Sequence, residues 1–554
     1  MARIVPLIAA ALGALLLWSA YPPMGETCAI VFALAPLLAV SRLCTPKKAL
    51  GTWFLGGFLF WFGTLAWMPA ISKNNGPLPL VVLGWIGLAA LCASYFALFG
   101  WLSARAWTRV RALGRPWAKL LALVVLEPAL WAGCEWLRGW LFTGFPWNFL
   151  GTAVGAAPSL ASPACLGGVY LVGACVVLLN GVFATLACRI AAQMRREEET
   201  GPRWARMLET ALPLALILAC FMAGSAVQAN VTARRGVPVR VALVQRNAPC
   251  VFSKRDRRQD PYETFGRLLE TAAVARPDLV VWAESAMAEF GSLGSDGAHH
   301  AALFFARQTG GASLLAGGDW CYDVETAQGT ARRVQNGAGL YVPTATNVTL
   351  QVYGKQHLVP FGEYIPFDKW ITPLQKLSPV GVSLWPGEPK VLTLPLNREL
   401  AHPGTPAPAH PDTPAIRIAP LICFEDTDPV LARKAAKLGA QAIVLITNDS
   451  WFSHSNETVQ HAAQAVLRAI ETGLPVVRTG NSGVTGIVSA TGRTRWLEDG
   501  NGKPLVDAEG TMVDTVAVPE SPVLTPYSRV GDLPLAVLFA LALAFALWPR
   551  KVRG

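Results

Sequence analysis

The chain has 554 residues, of which 53% are hydrophobic and only 15% charged, against roughly 25% charged in ordinary soluble proteins; this excludes a wholly soluble protein. A net charge of +11 does not make it a nucleic-acid binder, because much of the Lys and Arg sits in short loops between apolar runs and reads as a topology signal. Eleven cysteines do not make a disulfide scaffold: Cys28, Cys44, Cys92, Cys134, Cys165, Cys175, Cys188 and Cys220 lie in or beside apolar segments, and only Cys250, Cys321 and Cys423 remain in the polar region.

A membrane helix needs about 20 mostly apolar residues. Eight runs qualify, centred near residues 12, 34, 60, 90, 126, 176, 219 and 541. The first, Ile4 to Ala20, follows Arg3 as a signal peptide would, but no small-residue cleavage site precedes Tyr21-Pro22-Pro23 and more spans follow at once. The loop charges alternate: Arg42, Lys47 and Lys48 after the second run; Arg105, Arg109, Arg111, Arg115 and Lys119 after the fourth; Arg189, Arg195, Arg196, Arg203 and Arg206 after the sixth; Arg550, Lys551 and Arg553 after the eighth. The opposite loops hold little beyond Lys73 and Arg138. By the positive-inside rule both termini are cytoplasmic. The polar region between the seventh and eighth runs then lies on the far side, the periplasm of a bacterial cell. The expected organisation is spans one to seven over 1–229, an extramembrane domain over 230–529, and span eight with a cytoplasmic tail over 530–554.

The polar region alternates short β-rich runs with amphipathic stretches. Strands are expected at 239–244, 279–282, 313–316, 339–342, 348–353, 416–422 and 442–447, and helices at 261–275, 428–438 and 458–472. That pattern predicts a layered α/β fold. The stretch Ala401 to Pro414, rich in Pro, His and Ala, reads as a surface insertion.

Three residues stand just past apolar strands, where α/β sheets present reactive groups. Cys423 closes Ile416 to Ile422, Glu284 follows Asp278 to Ala283, and Lys355 follows Val348 to Tyr353. Each has a bland alternative: a buried structural thiol, a helix cap and a solvated charge. Together they divide one chemistry. A thiolate is the nucleophile and a neighbouring ammonium lowers its pKa. Glu284 can shuttle protons, Lys355 can hold the oxyanion of a tetrahedral intermediate, and Glu363 and Glu425 would orient the site. Neither a Ser-His-Asp set nor a metal-ligand spacing is present, and His357, His454 and His461 are scattered and read as structural.

The stretches Trp282-Ala283-Glu284-Ser285, Tyr353 to Tyr364 (YGKQHLVPFGEY) and Leu421-Ile422-Cys423-Phe424-Glu425 resemble the nitrilase or carbon-nitrogen hydrolase superfamily. With eight spans around such a domain, the chain resembles the apolipoprotein N-acyltransferase family. Further similar stretches are Arg138-Gly139 with Thr143 to Trp147, Val244 to Asn247, Thr447 to Phe452 and Arg478 to Gly483. The resemblance implies an α-helical membrane bundle plus an α-β-β-α sandwich. It implies a general base at Glu284, an oxyanion-stabilising lysine at Lys355 and a thioester-forming nucleophile at Cys423, supported by Glu363, Phe424 and Glu425. Neither a cofactor nor a metal is implied. The implied reaction moves the sn-1 acyl chain of a phospholipid to Cys423 and then to the α-amine of a diacylglyceryl-cysteine, the last step of lipoprotein maturation. Phe145, Trp147, Trp385, Trp451 and Phe452 are the candidate lipid-lining residues; membrane-interface aromatics also serve as anchors. The chain departs from the pattern at Phe424, where a tyrosine is usual, at Phe252 and Lys254 near the expected aromatic, and at Ser453 in place of glycine.

Two rival readings remain. A membrane-tethered amidase or nitrilase would use the same three residues with water as acceptor. A transporter or scaffold would leave them idle, with Glu127 and Glu135 as the intramembrane charges marking a transport path.

Overall fold

A computed structural model describes residues 4–74, 76–155, 157–196, 202–250, 259–326, 329–366, 383–396, 415–522 and 524–548. The stretch 401–414, Phe252, Lys254 and the charges from Arg550 onward lie outside the described residues. The chain divides into two units: residues 1–69, 77–229 and 525–554 form the first, and 70–76 with 230–524 the second.

The first unit is helical: α1 (Ile4–Ala20), α2 (Ala35–Leu43), α3 (Pro46–Thr64), α4 (Leu78–Leu113), α5 (Pro116–Leu121), α6 (Glu127–Trp140), α7 (Ala164–Met194) and α8 (Arg203–Thr232). Among the described residues five helical stretches, Pro46–Asn74, Leu78–Leu113, Pro116–Thr143, Ala164–Met194 and Arg203–Thr232, are long and apolar enough to cross a bilayer; Ile4–Ala20, Thr27–Leu43 and Leu533–Leu547 are shorter apolar helices. The second of these is broken, and the break has a cause. Asn180 of α7 accepts the N–H groups of Leu34 and Ala35 at 2.8 and 3.0 Å and donates to the Ile30 carbonyl at 2.9 Å, so a side-chain amide satisfies backbone that an unbroken helix would pair internally.

Both acidic residues of the transport reading are paired. Glu127 lies 2.5 Å from the Arg42 guanidinium and accepts from Trp107 Nε1 at 2.6 Å and Ser103 Oγ at 3.1 Å. Glu135 accepts the Leu150 N–H at 2.7 Å and lies 3.7 Å from Arg138. Arg138 in turn donates to the carbonyls of Phe145 and Trp147, at 2.6 and 2.8 Å. Glu127 is bonded on both oxygens, whereas Glu135 Oε2 is buried without a hydrogen-bond partner among the described residues.

Among the described residues the second unit holds twelve strands in two six-stranded sheets. In chain order they are β1 (Gly236–Gln245), β2 (Leu279–Trp282), β3 (Ser313–Thr326), β4 (Gly329–Pro343), β5 (Val348–Gly354), β6 (Leu392–Pro395), β7 (Ala415–Ile422), β8 (Ala442–Thr447), β9 (Val476–Gly480), β10 (Gly486–Val488), β11 (Thr494–Trp496) and β12 (Gly510–Pro519). One sheet runs β12-β1-β2-β3-β4-β5, the other β11-β10-β9-β8-β7-β6. Strands β1, β2 and β3 are mutually parallel, as are β7, β8 and β9.

Successive side chains on a strand point to opposite faces, and the sequence uses both. Val241, Leu243, Val281 and Leu315 meet Ile418, Ile422, Val444 and Val477 in a core between the sheets. Ala242, Val244, Val280 and Leu314 turn outward onto Phe265, Leu268, Ala302 and Phe305, which belong to α9 (Pro261–Leu268) and α11 (Asp296–Gln308); α10 (Glu270–Ala275) lies between these two in the chain. Helices α12 (Pro429–Lys437) and α13 (Glu457–Thr472) pack on the second sheet. The layers are α-β-β-α.

The sequence expectation missed α11, β6 and β9 to β12, and further details differ from it. The helix expected over 261–275 is two, broken at Leu269. Strands β3 and β4 form a hairpin that runs well past the expected ends. Residues 70–76 belong with the second unit, where Asn74 Nδ2 donates to the Trp451 carbonyl at 3.0 Å. The closing helices α14 (Pro526–Val530) and α15 (Leu533–Leu547) belong with the first unit, where the Tyr527 ring packs so closely on Gly168 that a Cβ there would sit 2.6 Å from it.

Candidate active site

Glu284, Lys355 and Cys423 stand at the C-terminal ends of β2, β5 and β7. Lys355 is 1% exposed, and its ammonium donates to Glu363 Oε1 at 2.8 Å and lies 3.6 Å from Glu284 Oε1. Burial alone would drive a lysine toward its neutral form. The carboxylates of Glu363 and Glu284 outweigh burial and raise Lys355 above its ordinary range. It is a fixed cation.

Glu284 is held from three sides. Its Oε1 accepts from Asn336 Nδ2 at 2.7 Å, its Oε2 accepts the Asn448 N–H at 2.9 Å, and Lys355 approaches Oε1. Asn336 also donates to Glu363 Oε1 at 2.7 Å, so one amide spaces the two carboxylates. Glu363 Oε2 accepts the Val359 N–H at 2.8 Å. Close approach requires Gly317 on β3: a Cβ there would meet the Glu284 Cα at 2.6 Å.

Cys423 has φ +52°, a left-handed conformation that is strained for any residue with a Cβ. The turn is clamped by Glu425, which is fully buried. Its Oε2 accepts the Ile422 N–H at 2.8 Å, and its Oε1 accepts the N–H groups of Gln356 and His357 at 2.6 and 3.2 Å. Tyr353 donates its hydroxyl to the same carboxylate at 2.9 Å. Glu425 thus ties the loop after Lys355 to the turn carrying the thiol. Phe424 packs edge-on against His357, with ring centres 5.6 Å apart, a contact that needs no hydroxyl.

The charge balance at sulfur differs from expectation. Lys355 and side-chain hydrogen bonding with Thr447 lower the Cys423 pKa, but burial, then Glu284 and Asp449, raise it well above the ordinary thiol range. Burial and the nearby carboxylates thus favour the protonated thiol.

Sequence reasoning missed Asn336, whose neighbours in β4 gave no signal, and read His461 as structural without locating it. That ring is fully buried: Nδ1 lies 3.0 Å from Asp449 Oδ1, and Nε2 lies 3.0 Å from Asp426 Oδ1 and 3.3 Å from the Cys423 carbonyl. Arg478 bridges the remaining oxygens of Asp426 and Asp449 at 3.2 and 3.1 Å. Gly483 permits this, since a Cβ there would fall 1.9 Å from Asp449 Oδ2. Cys423, Asp449 and His461 offer ligand atoms within 4.8 Å of one another. With both ring nitrogens facing carboxylates and Asp449 held by Arg478, the group is an ion-pair network, not a free ligand set. His357 and His454 face Asp428 and Asp507.

The aromatic candidates divide. Trp451 lines a cavity of about 260 Å³ with Glu284, Asn448, Cys250, Phe265 and Asn481. Cys250, whose sulfur lies 2.7 Å from Ser450 Oγ, is pushed up to about 11, chiefly by burial. Phe452 is half-buried. Trp385 is exposed, with the Arg333 guanidinium 3.8 Å from its ring centre, and lies on a segment whose Gly387 N–H donates to the Lys355 carbonyl at 2.7 Å. Trp147 is enclosed in the first unit beside Trp67, because Arg138 draws its carbonyl inward. Phe145 is half-buried next to it.

Residues 13–182 match the family description "Apolipoprotein N-acyltransferase N-terminal domain", and residues 240–518 match "Carbon-nitrogen hydrolase". An apolipoprotein N-acyltransferase from Geobacter metallireducens is 29% identical over 88% of this chain and 86% of its own length. One from Azotobacter vinelandii is 31% identical over 94% of this chain and 90% of its own. Among solved structures, a nitrilase-superfamily amidase from Nesterenkonia AN1 aligns with 55% of this chain and 97% of its own, at 19% identity and a TM-score of 0.35.

Proposed function

The chain belongs to the apolipoprotein N-acyltransferase family, and from this we propose that Cys423 carries the acyl chain as a thioester between a membrane phospholipid and the α-amine of a diacylglyceryl-cysteine. The observation that carries this reading is the strained turn at Cys423, set at a strand end with Lys355 and Glu284 as the charges acting on its sulfur.

In the first half-reaction the Cys423 sulfur attacks the sn-1 ester carbonyl as Glu284 takes the thiol proton. Lys355, already charged and needing no reorganisation, stabilises the oxyanion. The tetrahedral intermediate collapses, the C–O bond breaks, and Glu284 returns the proton to the departing lysophospholipid alkoxide. In the second half the amine attacks the thioester, Glu284 removes its proton, and the C–S bond breaks to give the amide and the free cysteine. Glu363, Asn336 and Glu425 position the three reacting groups. Phe145, Trp385, Trp451 and Phe452 remain candidates for contact with the acyl chain. No cofactor is needed for either step.

Three shorter apolar helices added to the five long ones give eight spans; at 15 to 17 residues they stand near the lower limit of about 17. The loop charges then put both termini in the cytoplasm and the catalytic domain in the periplasm, with the bundle in the inner membrane. Reporter fusions to the loop carrying Arg105 to Lys119 and to the 230–524 unit test this: periplasmic reporter activity from the former would overturn the orientation.

The chemistry is tested with labelled phospholipid and purified protein. A hydroxylamine-sensitive adduct that is absent in Cys423→Ala and moves to a diacylglyceryl peptide amine is the expected result. An adduct that only hydrolyses would make the chain an amidase-like hydrolase, and no adduct with any phospholipid would end the covalent reading.

A further inference from the structure

The ring of charges beneath the nucleophile has a role that the three reacting residues do not fill. Asp426 and Asp449 each touch two cations, one oxygen on His461 and the other on Arg478. These residues come from the turn after β7, the end of β8, α13 and β9, and all four are at least 98% buried. Both His461 nitrogens face oxygens. Nδ1 meets Asp449, with Glu457 Oε1 at 3.5 Å; Nε2 meets Asp426 and the Cys423 carbonyl. A carbonyl and an ionised carboxylate only accept, so each nitrogen must carry a hydrogen. The Cys423 sulfur lies within 4.8 Å of this ring.

We propose that His461 is a positioning residue held as an imidazolium, which donates to the Cys423 carbonyl to fix the strained turn and supplies positive charge behind the sulfur as it ionises. This rests on Cys423 being the nucleophile. The environment agrees: burial opposes a charged His461, but Asp426 and Asp449 override it and raise it well above its ordinary range. Glu457 is pushed well above its own range by burial and then by Asp449, so it keeps its proton. Two anions and two cations then sum to zero. Without the imidazolium, Asp426 and Asp449 face Arg478 alone, and one net negative charge joins Glu284 in opposing thiolate formation, against the Lys355 ammonium.

The experiment follows alkylation of Cys423 by iodoacetamide, quantified on its own peptide by mass spectrometry, in brief exposures from pH 6 to 11 for wild type and His461→Gln. The profile of the variant should move up by about one pH unit, a tenfold slower reaction at each pH on the rising limb. KM for phospholipid should stay unchanged. Labelling in the variant that matches the wild type at every pH would mean a structural role only and overturn the proposal. Should His461→Gln fail to fold, the ¹⁵N shifts of His461 in the wild type decide: two protonated nitrogens at pH 8 are expected, and a neutral tautomer overturns it. Acyl transfer surviving in Cys423→Ala would instead sink the nucleophile assignment, whatever the His461 result.

Discussion

Glu284 Oε2 accepts the backbone N–H of Asn448 at 2.9 Å, so the proposed base at the end of one sheet is oriented by the end of a strand in the other. The carboxylate has two opposing effects on Cys423: in the proposed mechanism it takes the thiol proton, and its own charge raises the thiol pKa. Glu284→Gln should separate them. Acyl transfer is expected to fall by about 10²- to 10⁴-fold, the usual size of a general-base contribution. Iodoacetamide labelling of the resting Cys423 at pH 8 should become faster, because an opposing charge is gone. Slower labelling in the variant would contradict the charge balance described here.

In the wild type, the raised thiol predicts that labelling climbs steadily from pH 7 to 9 with no plateau in that range. A plateau near neutrality would mean a preformed thiolate, and proton transfer to Glu284 would no longer be needed.

Asn336 spaces Glu284 and Glu363 through one amide nitrogen. Asn336→Ala leaves both carboxylates short of a donor in a buried site. A stability loss of about 1–3 kcal/mol is expected in chemical denaturation, with kcat falling more than KM rises. Asn336→Asp should be worse than alanine, since a third carboxylate would face the same ammonium.

Asp449 lies at about 2, below its ordinary 3.8; burial pushes the other way, and His461 and then Arg478 overcome it. A group depressed on folding stabilises the protein above its unfolded pKa and loses that contribution as pH falls through the folded value. The window is therefore about pH 4 down to about 2. Acid unfolding of the wild type should steepen there, and Asp449→Asn, less stable at pH 7, should show a flatter profile over the same window.

The strand ends that carry Glu284, Lys355 and Cys423 are legible because apolar runs stop abruptly at a charge or a thiol, in the parallel strands β2 and β7 and in the antiparallel edge strand β5 alike. Asn336 and His461 are illegible for a physical reason: their meaning lies in partners 27 to 52 and 12 to 38 residues away, which no local pattern encodes. The far half of the β3–β4 hairpin was missed because its outer residues, such as Asp323, Glu325 and Thr330, are exposed and leave no apolar alternation. The aromatic run ending at Trp147 suggested lipid contact, yet the signal that decides its burial is Arg138, which a hydropathy reading counts only as a loop charge. Apolar length alone marks the run near residue 34; its break is set by Asn180, far along the chain.

The left-handed turn at Cys423 has a consequence for how this chain can have evolved. At φ +52° glycine is free of a strain that a Cβ makes worth about 1–2 kcal/mol. Selection for stability alone would therefore favour glycine at 423, at the expense of the enzyme. Drift toward a more robust fold and loss of the proposed nucleophile lie in the same direction.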